Sequence, residues 1–163
     1  HIDVYSAESR TEILKDMTEQ NGIQFHGSIS SEEVLEVMGR SMAVIHTESF
    51  DEGIRKSVAY SVSTKIADSL ASGTCILAFG PPEIASIAYL KENQAAFCIT
   101  EESNLEASLS AFCGNSELRE QIAQNAIYLA KKNHDSHKNW QMLRDTMQEV
   151  IDAFHEEAGI EEK

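Results

Sequence analysis

Small hydroxyl residues followed by a lysine form the stretch of this sequence best suited to bind an anion. Ser61 and Ser63 precede a segment, 64–72, whose apolar residues recur at helical spacing, and Thr64 begins it. A helix start presents backbone N–H groups that lack intrahelical acceptors, and the helix dipole favours negative charge there. Lys65 adds a positive charge. The stretch is therefore suited to hold a phosphate group.

Asp68 follows Thr64 by one helical turn and shares its helix face. A carboxylate at this position can accept hydrogen bonds from two neighbouring hydroxyls, as on a ribose. The alternative is an ordinary capped helix that carries Lys65 and Asp68 on its surface. Spacing alone favours this alternative, because serine and threonine are common helix caps.

Histidines provide two further candidates for chemistry. His46 ends a predicted strand, where it either contacts a ligand or is a hydrogen-bonded core residue. His134 and His137, with Asp135 between them, have a spacing that could ligate a metal. No third strong ligand accompanies them, so a solvated helix start is the preferred interpretation and no metal is expected.

Composition limits the class of protein. The chain has 163 residues, 42% hydrophobic and 25% charged, with a net charge of −14. This indicates one globular domain, predicted over 1–158, followed by an acidic tail at 159–163. The negative charge disfavours nucleic acid and anionic membranes as partners. The sequence shows no transmembrane segment, and its three scattered cysteines predict a reducing, cytoplasmic location. Cys75 and Cys98 fall in apolar strands and are expected in the core.

Short apolar segments alternate with longer amphipathic ones. Strands are predicted at 2–5, 23–26, 42–47, 74–79 and 95–99. Helical patterns are predicted at 10–20, after a capping box Ser30–Glu33, at 64–72, at 83–91, after a second capping box Ser103–Glu106, around 118–129 and through 140–154. Gly73 is expected to end the third of these helices, and 48–60 is predicted to be a loop. The alternation predicts an α/β fold with one parallel sheet and helices on both faces.

The last predicted helix has an apolar stripe that includes Trp140, Leu143, Met147, Ile151 and Phe154. Such a stripe is more often part of a core than of a partner-binding surface.

Three segments together carry a resemblance to a known family. One is the run Lys65-x-x-Asp68-x-x-Ala71-x-Gly73, followed by the strand 74–78. The others are the strand-glycine loop 25–29 and the strand 42–47. In this order and spacing, the chain from 2 to 154 resembles the C-terminal, donor-binding half of a GT-B glycosyltransferase of group 1, family 4-like.

The resemblance implies a Rossmann-like, three-layer domain that binds a UDP- or GDP-linked sugar as substrate, with no separate cofactor. It leaves the catalytic residues unassigned. The roles that it implies are diphosphate binding by Ser61, Ser63, Thr64 and Lys65, ribose binding by Asp68, base binding by Gly27, Ser28 and Ile29, and a place near the donor sugar for His46, Glu48 and Tyr60.

This sequence departs from the family pattern at several points. Many relatives carry two glutamates with seven residues between them, and here Tyr60 and Asp68 occupy those positions. A central strand that the family places before residue 2 is missing, as is the N-terminal half that binds the acceptor. We therefore expect a part of a longer enzyme, inactive alone, that partners its acceptor domain and reaches the inner face of the membrane only through that domain.

The expected reaction is transfer of a sugar to an acceptor glycan or lipid-linked glycan in polysaccharide biosynthesis. Two alternatives remain open: a nucleotide-sugar epimerase of similar build, and a non-catalytic interaction domain on the same fold. The residues Tyr60 and Asp68 give the second alternative some weight, because both depart from the family pattern.

Overall fold

The computed structural model describes residues 1–158, so the predicted acidic tail at 159–163 lies outside the described residues. The strands of the described part are β1 (Ile2–Tyr5), β2 (Ile23–Gly27), β3 (Val44–Thr47), β4 (Ile76–Phe79) and β5 (Phe97–Ile99). Its α-helices are α1 (Thr11–Leu14), α2 (Ser31–Arg40), α3 (Glu52–Val58), α4 (Lys65–Ala71), α5 (Ala85–Glu92), α6 (Leu105–Gly114), α7 (Ser116–Asn133) and α8 (Ser136–Ala158). The chain divides into two compact units, His1–Ser41 and the residues from Met42 onward.

The first unit pairs β1 with β2 in parallel, with Ile2 opposite Ile23. Helix α2 begins with the predicted capping box: the Ser30 hydroxyl accepts a hydrogen bond from the Glu33 N–H, and the Glu33 carboxylate accepts one from the Ser30 N–H. That prediction is confirmed. No residue of this unit is buried, so its structure depends on strand pairing and local caps.

The predicted helix at 10–20 is much shorter in the structure. Only α1 is α-helical, and a 3₁₀ turn at Glu19–Asn21 follows after a gap. Arg10 precedes α1 without a side-chain cap bond, and no residue of α1 is buried. A short helix is unfavourable without a side-chain cap or packing against a core. Because α1 has neither, it does not extend over the predicted range 10–20.

The second unit contains a parallel sheet in the order β3-β4-β5. Alternate residues of β4 belong to different core clusters: Ile76 and Ala78 pack with residues of α4, α5 and α7, whereas Leu77 packs with α6. Side chains alternate between the faces of a strand, so helices cover both faces of β4. This arrangement confirms the predicted α/β, Rossmann-like, three-layer fold class.

The five strands do not form the single sheet that the sequence predicts. They form two separate parallel sheets, β1-β2 and β3-β4-β5. Parallel strands join one sheet only through continuous ladders of hydrogen bonds, and no described ladder links the two sets.

The segment predicted to be a loop, 48–60, contains α3. The Asp51 carboxylate accepts a hydrogen bond of 3.0 Å from the Ile54 N–H and caps the helix. Ion pairs Lys56–Glu52 along the helix and Arg55–Glu83 to the segment before α5 support it. These polar contacts stabilise a helix that has no apolar period, which is why the sequence pattern missed it.

The second predicted capping box does not form. Ser103 lies within a 3₁₀ turn at Glu102–Asn104, and α6 begins after Asn104 without a side-chain cap bond. The helix predicted at 64–72 does end as expected: Gly73 follows α4 with a φ of 77°, the left-handed conformation that glycine adopts without strain.

The apolar stripe on α8 is exposed, contrary to the prediction that it is part of the core. Trp140 and Phe154 each expose more than 60% of their area, and Leu143, Met147 and Ile151 are also exposed. The amphipathic pattern was correct, but no described element covers it. The described residues include no helix long and apolar enough to cross a membrane.

Candidate functional site

An open cavity of about 520 Å³ lies at the carboxyl end of β3. It is lined by residues 45–48, Val58 and residues 61–65. Ligands of parallel α/β sheets bind at the carboxyl ends of strands. The structure thus brings together all the predicted diphosphate residues, Ser61, Ser63, Thr64 and Lys65, with His46 and Glu48.

The segment before α4 is held by a serine that sequence reasoning missed. Ser86, fully buried at the start of α5, accepts a hydrogen bond of 3.1 Å from the Ser63 N–H and donates one of 3.3 Å to the Ser61 carbonyl. The sequence did offer a signal: Ser86 stands between the apolar residues Ile84 and Ile87, which predicts its burial. A buried hydroxyl requires hydrogen-bond partners. Ser86 fixes the conformation of the 61–63 turn.

The hydrogen bond to Ser86 determines which backbone N–H groups remain free to bind a ligand in the cavity. The Ser63 N–H is used by Ser86, whereas the Thr64 and Lys65 N–H groups have no acceptor within the described residues. Thr64 makes no side-chain cap bond, so the cap that the alternative interpretation assumes is not formed, although Lys65 and Asp68 do lie on the surface as that interpretation expects. Two amides, the Thr64 hydroxyl and the exposed Lys65 ammonium remain for an anionic ligand.

Asp68 and Tyr60 are exposed, Tyr60 at 99% of its area. Neither side chain makes a hydrogen bond in the described structure, and neither lines the cavity. Asp68 lies one turn beyond Thr64 on α4, as the sequence predicts, and its ribose role stays a prediction.

His46 and Glu48 form a hydrogen-bonded pair at the end of β3. The His46 Nε2 lies 3.1 Å from the Glu48 Oε1, and the two side chains are 12% and 15% exposed. Gly80 makes room for Glu48, because a Cβ at that position would lie 2.7 Å from the Glu48 Cβ. Sequence reasoning gave Gly80 no role in the site.

The predicted base-binding loop belongs to the first unit. Gly27 ends β2 with a φ of 75°, and its carbonyl accepts a hydrogen bond of 2.8 Å from the Ser6 N–H. Ser28 is exposed, and Ile29 is half-buried. The base contact of Gly27, Ser28 and Ile29 stays a prediction.

Two of the residues considered as metal ligands, His134 and Asp135, have other partners. The His134 Nε2 lies 2.9 Å from the Tyr89 hydroxyl, and the Asp135 carboxylate accepts a hydrogen bond from the Lys138 N–H. That bond lowers the pKa of Asp135. Among residues 1–158, no group of three or more His, Cys, Asp or Glu side chains is arranged to hold a metal ion.

Comparison with known proteins identifies the class. The family described as "Glycosyl transferase-like" matches residues 3–145, so the chain belongs to that family. A search of curated proteins found no match.

A solved structure gives the same fold. WaaG, a glycosyltransferase involved in lipopolysaccharide biosynthesis, is similar to this chain with a TM-score of 0.58 and 17% sequence identity. The match covers 79% of this chain and 33% of that chain, so the chain spans about a third of the length of WaaG. This likeness shows a GT-B Rossmann-like fold.

Proposed function

We propose that this chain is the donor-binding part of a glycosyltransferase. The whole enzyme would transfer a sugar from a UDP- or GDP-linked donor to an acceptor glycan or lipid-linked glycan, in polysaccharide biosynthesis. The observation that carries the proposal is the cavity beside β3 and α4, which lies where ligands of parallel sheets bind in a chain of this family.

The donor's diphosphate would lie against the start of α4. The free N–H groups of Thr64 and Lys65, the Thr64 hydroxyl and the Lys65 ammonium would stabilise its negative charge as the bond to the sugar breaks. Ser61 and Ser63 would contribute small side chains that let the phosphates approach the backbone. A local positive site is required because the net charge of −14 repels an anionic donor.

Asp68 would accept hydrogen bonds from the ribose hydroxyls. His46, Glu48 and Tyr60 would lie near the donor sugar. The domain would work in the cytoplasm with an acceptor-binding half, against which the exposed stripe of α8 would pack.

Titration calorimetry with UDP and GDP tests the donor site. Asp68→Ala leaves the ribose hydroxyls without an acceptor and should weaken binding by about 1–3 kcal/mol. Asp152→Ala, which also removes an exposed helix carboxylate, is the matched control and should change nothing. Equal affinities for wild type and Asp68→Ala would refute the ribose role.

Thr64→Glu tests the diphosphate site in the same assay. The new carboxylate would occupy the phosphate position, so UDP and GDP binding should be lost while nucleoside binding changes much less. Circular dichroism checks that the fold is intact. Unchanged diphosphate affinity would show that the donor is placed wrongly, and absence of binding to the wild type would favour an interaction domain.

The single tryptophan, Trp140, reports on the α8 surface. Its emission in this chain should be that of an exposed indole. In a longer form that includes the acceptor half, the emission should shift to shorter wavelengths, and an unchanged spectrum would contradict the packing of α8.

A further inference from the structure

The His46 ring has one nitrogen that is satisfied and one that is not. Its Nε2 lies 3.1 Å from the Glu48 Oε1. An ionised carboxylate only accepts hydrogen bonds, so Nε2 carries the proton in this pair. In the neutral ring, Nδ1 is then an acceptor with a free lone pair.

The free nitrogen is accessible. Nδ1 of His46 has no partner among the described residues. Among the described residues, every fully buried side-chain nitrogen or oxygen has a hydrogen-bond partner. Because Nδ1 has no partner, it is in contact with solvent. His46 lines the cavity together with Thr64 and Lys65. A ligand in the cavity can therefore meet an acceptor on β3 and donors at α4.

Glu48 is held in place by the backbone. Its N–H donates a hydrogen bond of 2.9 Å to the Phe79 carbonyl, and Gly80 packs directly against its Cβ. The backbone and Cβ of Glu48 are thus held in place, and its carboxylate fixes the tautomer of His46. Glu48 acts as a positioning residue, since it works through the histidine.

A ligand that contacts both α4 and His46 must carry two kinds of group: hydrogen-bond acceptors for α4 and a hydrogen-bond donor for His46. Phosphate oxygens accept hydrogen bonds and match the amides and Lys65, whereas an acceptor nitrogen requires a donor such as a hydroxyl. A sugar attached to a diphosphate has both groups side by side. We propose that His46 is a specificity-determining residue whose Nδ1 accepts a hydrogen bond from a hydroxyl of the donor sugar. This inference rests on the proposed function of the cavity.

Binding of paired probes isolates the sugar contact. The bare diphosphates UDP and GDP are compared with UDP-glucose, UDP-galactose, UDP-N-acetylglucosamine and GDP-mannose, and the affinity gained from each sugar is measured. In the wild type, at least one sugar should increase affinity. His46→Phe keeps the ring shape but lacks the acceptor, and it should reduce that gain about 5–10-fold, a larger loss than in the affinity for the bare diphosphate. His46→Asn places an amide oxygen near the Nδ1 position and should restore part of the gain.

The outcomes separate the two proposals. If neither UDP nor GDP binds the wild type, the proposed function fails and the sugar contact fails with it. If the diphosphate binds but no sugar adds affinity, or if His46→Phe leaves the gain unchanged, only the role of His46 is overturned.

Nitrogen-15 NMR of His46 tests the positioning role without any ligand. The neutral ring of the wild type should carry its proton on Nε2 alone, and Glu48→Leu should give a mixture of tautomers. A proton on Nδ1 in the wild type, or an unchanged tautomer in Glu48→Leu, would overturn the proposal. A role of Glu48 in folding alone would not alter the tautomer.

Discussion

The two parallel sheets of this chain differ in what stabilises them. In the second unit, β4 has a strand on each side and helices on both faces, and Ile76 and Ala78 are fully buried. In the first unit, β1 and β2 have one partner strand each, and no residue is buried. The same alternation of strand and helix thus produced a core in one unit and a half-exposed ribbon in the other. Hydrophobic burial requires neighbours on all sides, which local sequence does not supply.

The largest expected difference concerns matched isoleucines in the two units. Ile76 is fully buried in β4, whereas Ile2 in β1 is 45% exposed. Ile76→Ala should destabilise the protein by about 2–5 kcal/mol because it opens a cavity. Ile2→Ala should cost less than about 1 kcal/mol. Urea denaturation of both variants measures this, and equal costs would break the comparison.

The next prediction concerns the close packing of Gly80 against Glu48 in the second unit. Gly80→Ala places a Cβ 2.7 Å from the Glu48 Cβ and 3.2 Å from the Glu48 carbonyl oxygen, so the end of β3 must shift. We expect a destabilisation of about 1–3 kcal/mol by overpacking. Gly114→Ala is the control, because no heavy atom outside its chain neighbours and its own helix backbone lies within 4 Å of its Cβ position. Thermal melts that shift equally for both variants would contradict the contact.

The capping box of α2 tests whether local bonds stabilise the first unit. Ser30→Ala should cost about 1 kcal/mol, whereas Ser57→Ala, a serine in the last turn of α3 that does not cap a helix N-terminus, should cost less. Hydrogen exchange of the α2 amides compares the two variants. Equal protection of α2 in both would show that the cap contributes little.

The same capping box predicts a pH dependence. Hydrogen bonds from Ser30 lower the pKa of Glu33 below its usual value. A carboxylate whose pKa is lower when folded stabilises the helix above the unfolded pKa, and this stabilisation is lost as pH falls through the folded value. The protection factors of the α2 amides, which correct for the slower intrinsic exchange in acid, should therefore fall as pH is lowered in the wild type and less so in Glu33→Gln. An identical acid response in the two proteins would contradict this.

The smallest expected effect is a difference in the labelling rates of the three cysteines, all of which lie in the second unit. Burial raises the pKa of both Cys75 and Cys98 to about 11, whereas Cys113 is exposed. Because the thiolate is the nucleophile, maleimide at neutral pH should label Cys113 first. Mass spectrometry of the digested protein locates the label. Early modification of Cys75 would show that the core around β4 opens readily.

The sequence by itself determined the features that depend on neighbouring residues. The α/β class follows from the alternation of short apolar and longer amphipathic segments, and the Ser30 cap and Gly73 terminus follow from residue types at fixed spacing. The residues lining the cavity, from Ser61 to Lys65, were found because they adjoin one another in the chain. Patterns of this kind involve contacts within about one helical turn.

Only the tertiary structure decided which of these elements are covered and what holds the site. Ser86 fixes the 61–63 turn, although it lies 23 or more residues further along the chain. Gly80, which follows β4, packs against Glu48, which follows β3. The stripe on α8 has the period of a buried helix but is exposed, and the strands divide into two sheets. Periodicity shows that a face is apolar, but burial depends on partners that are distant in the chain or belong to another part of the protein.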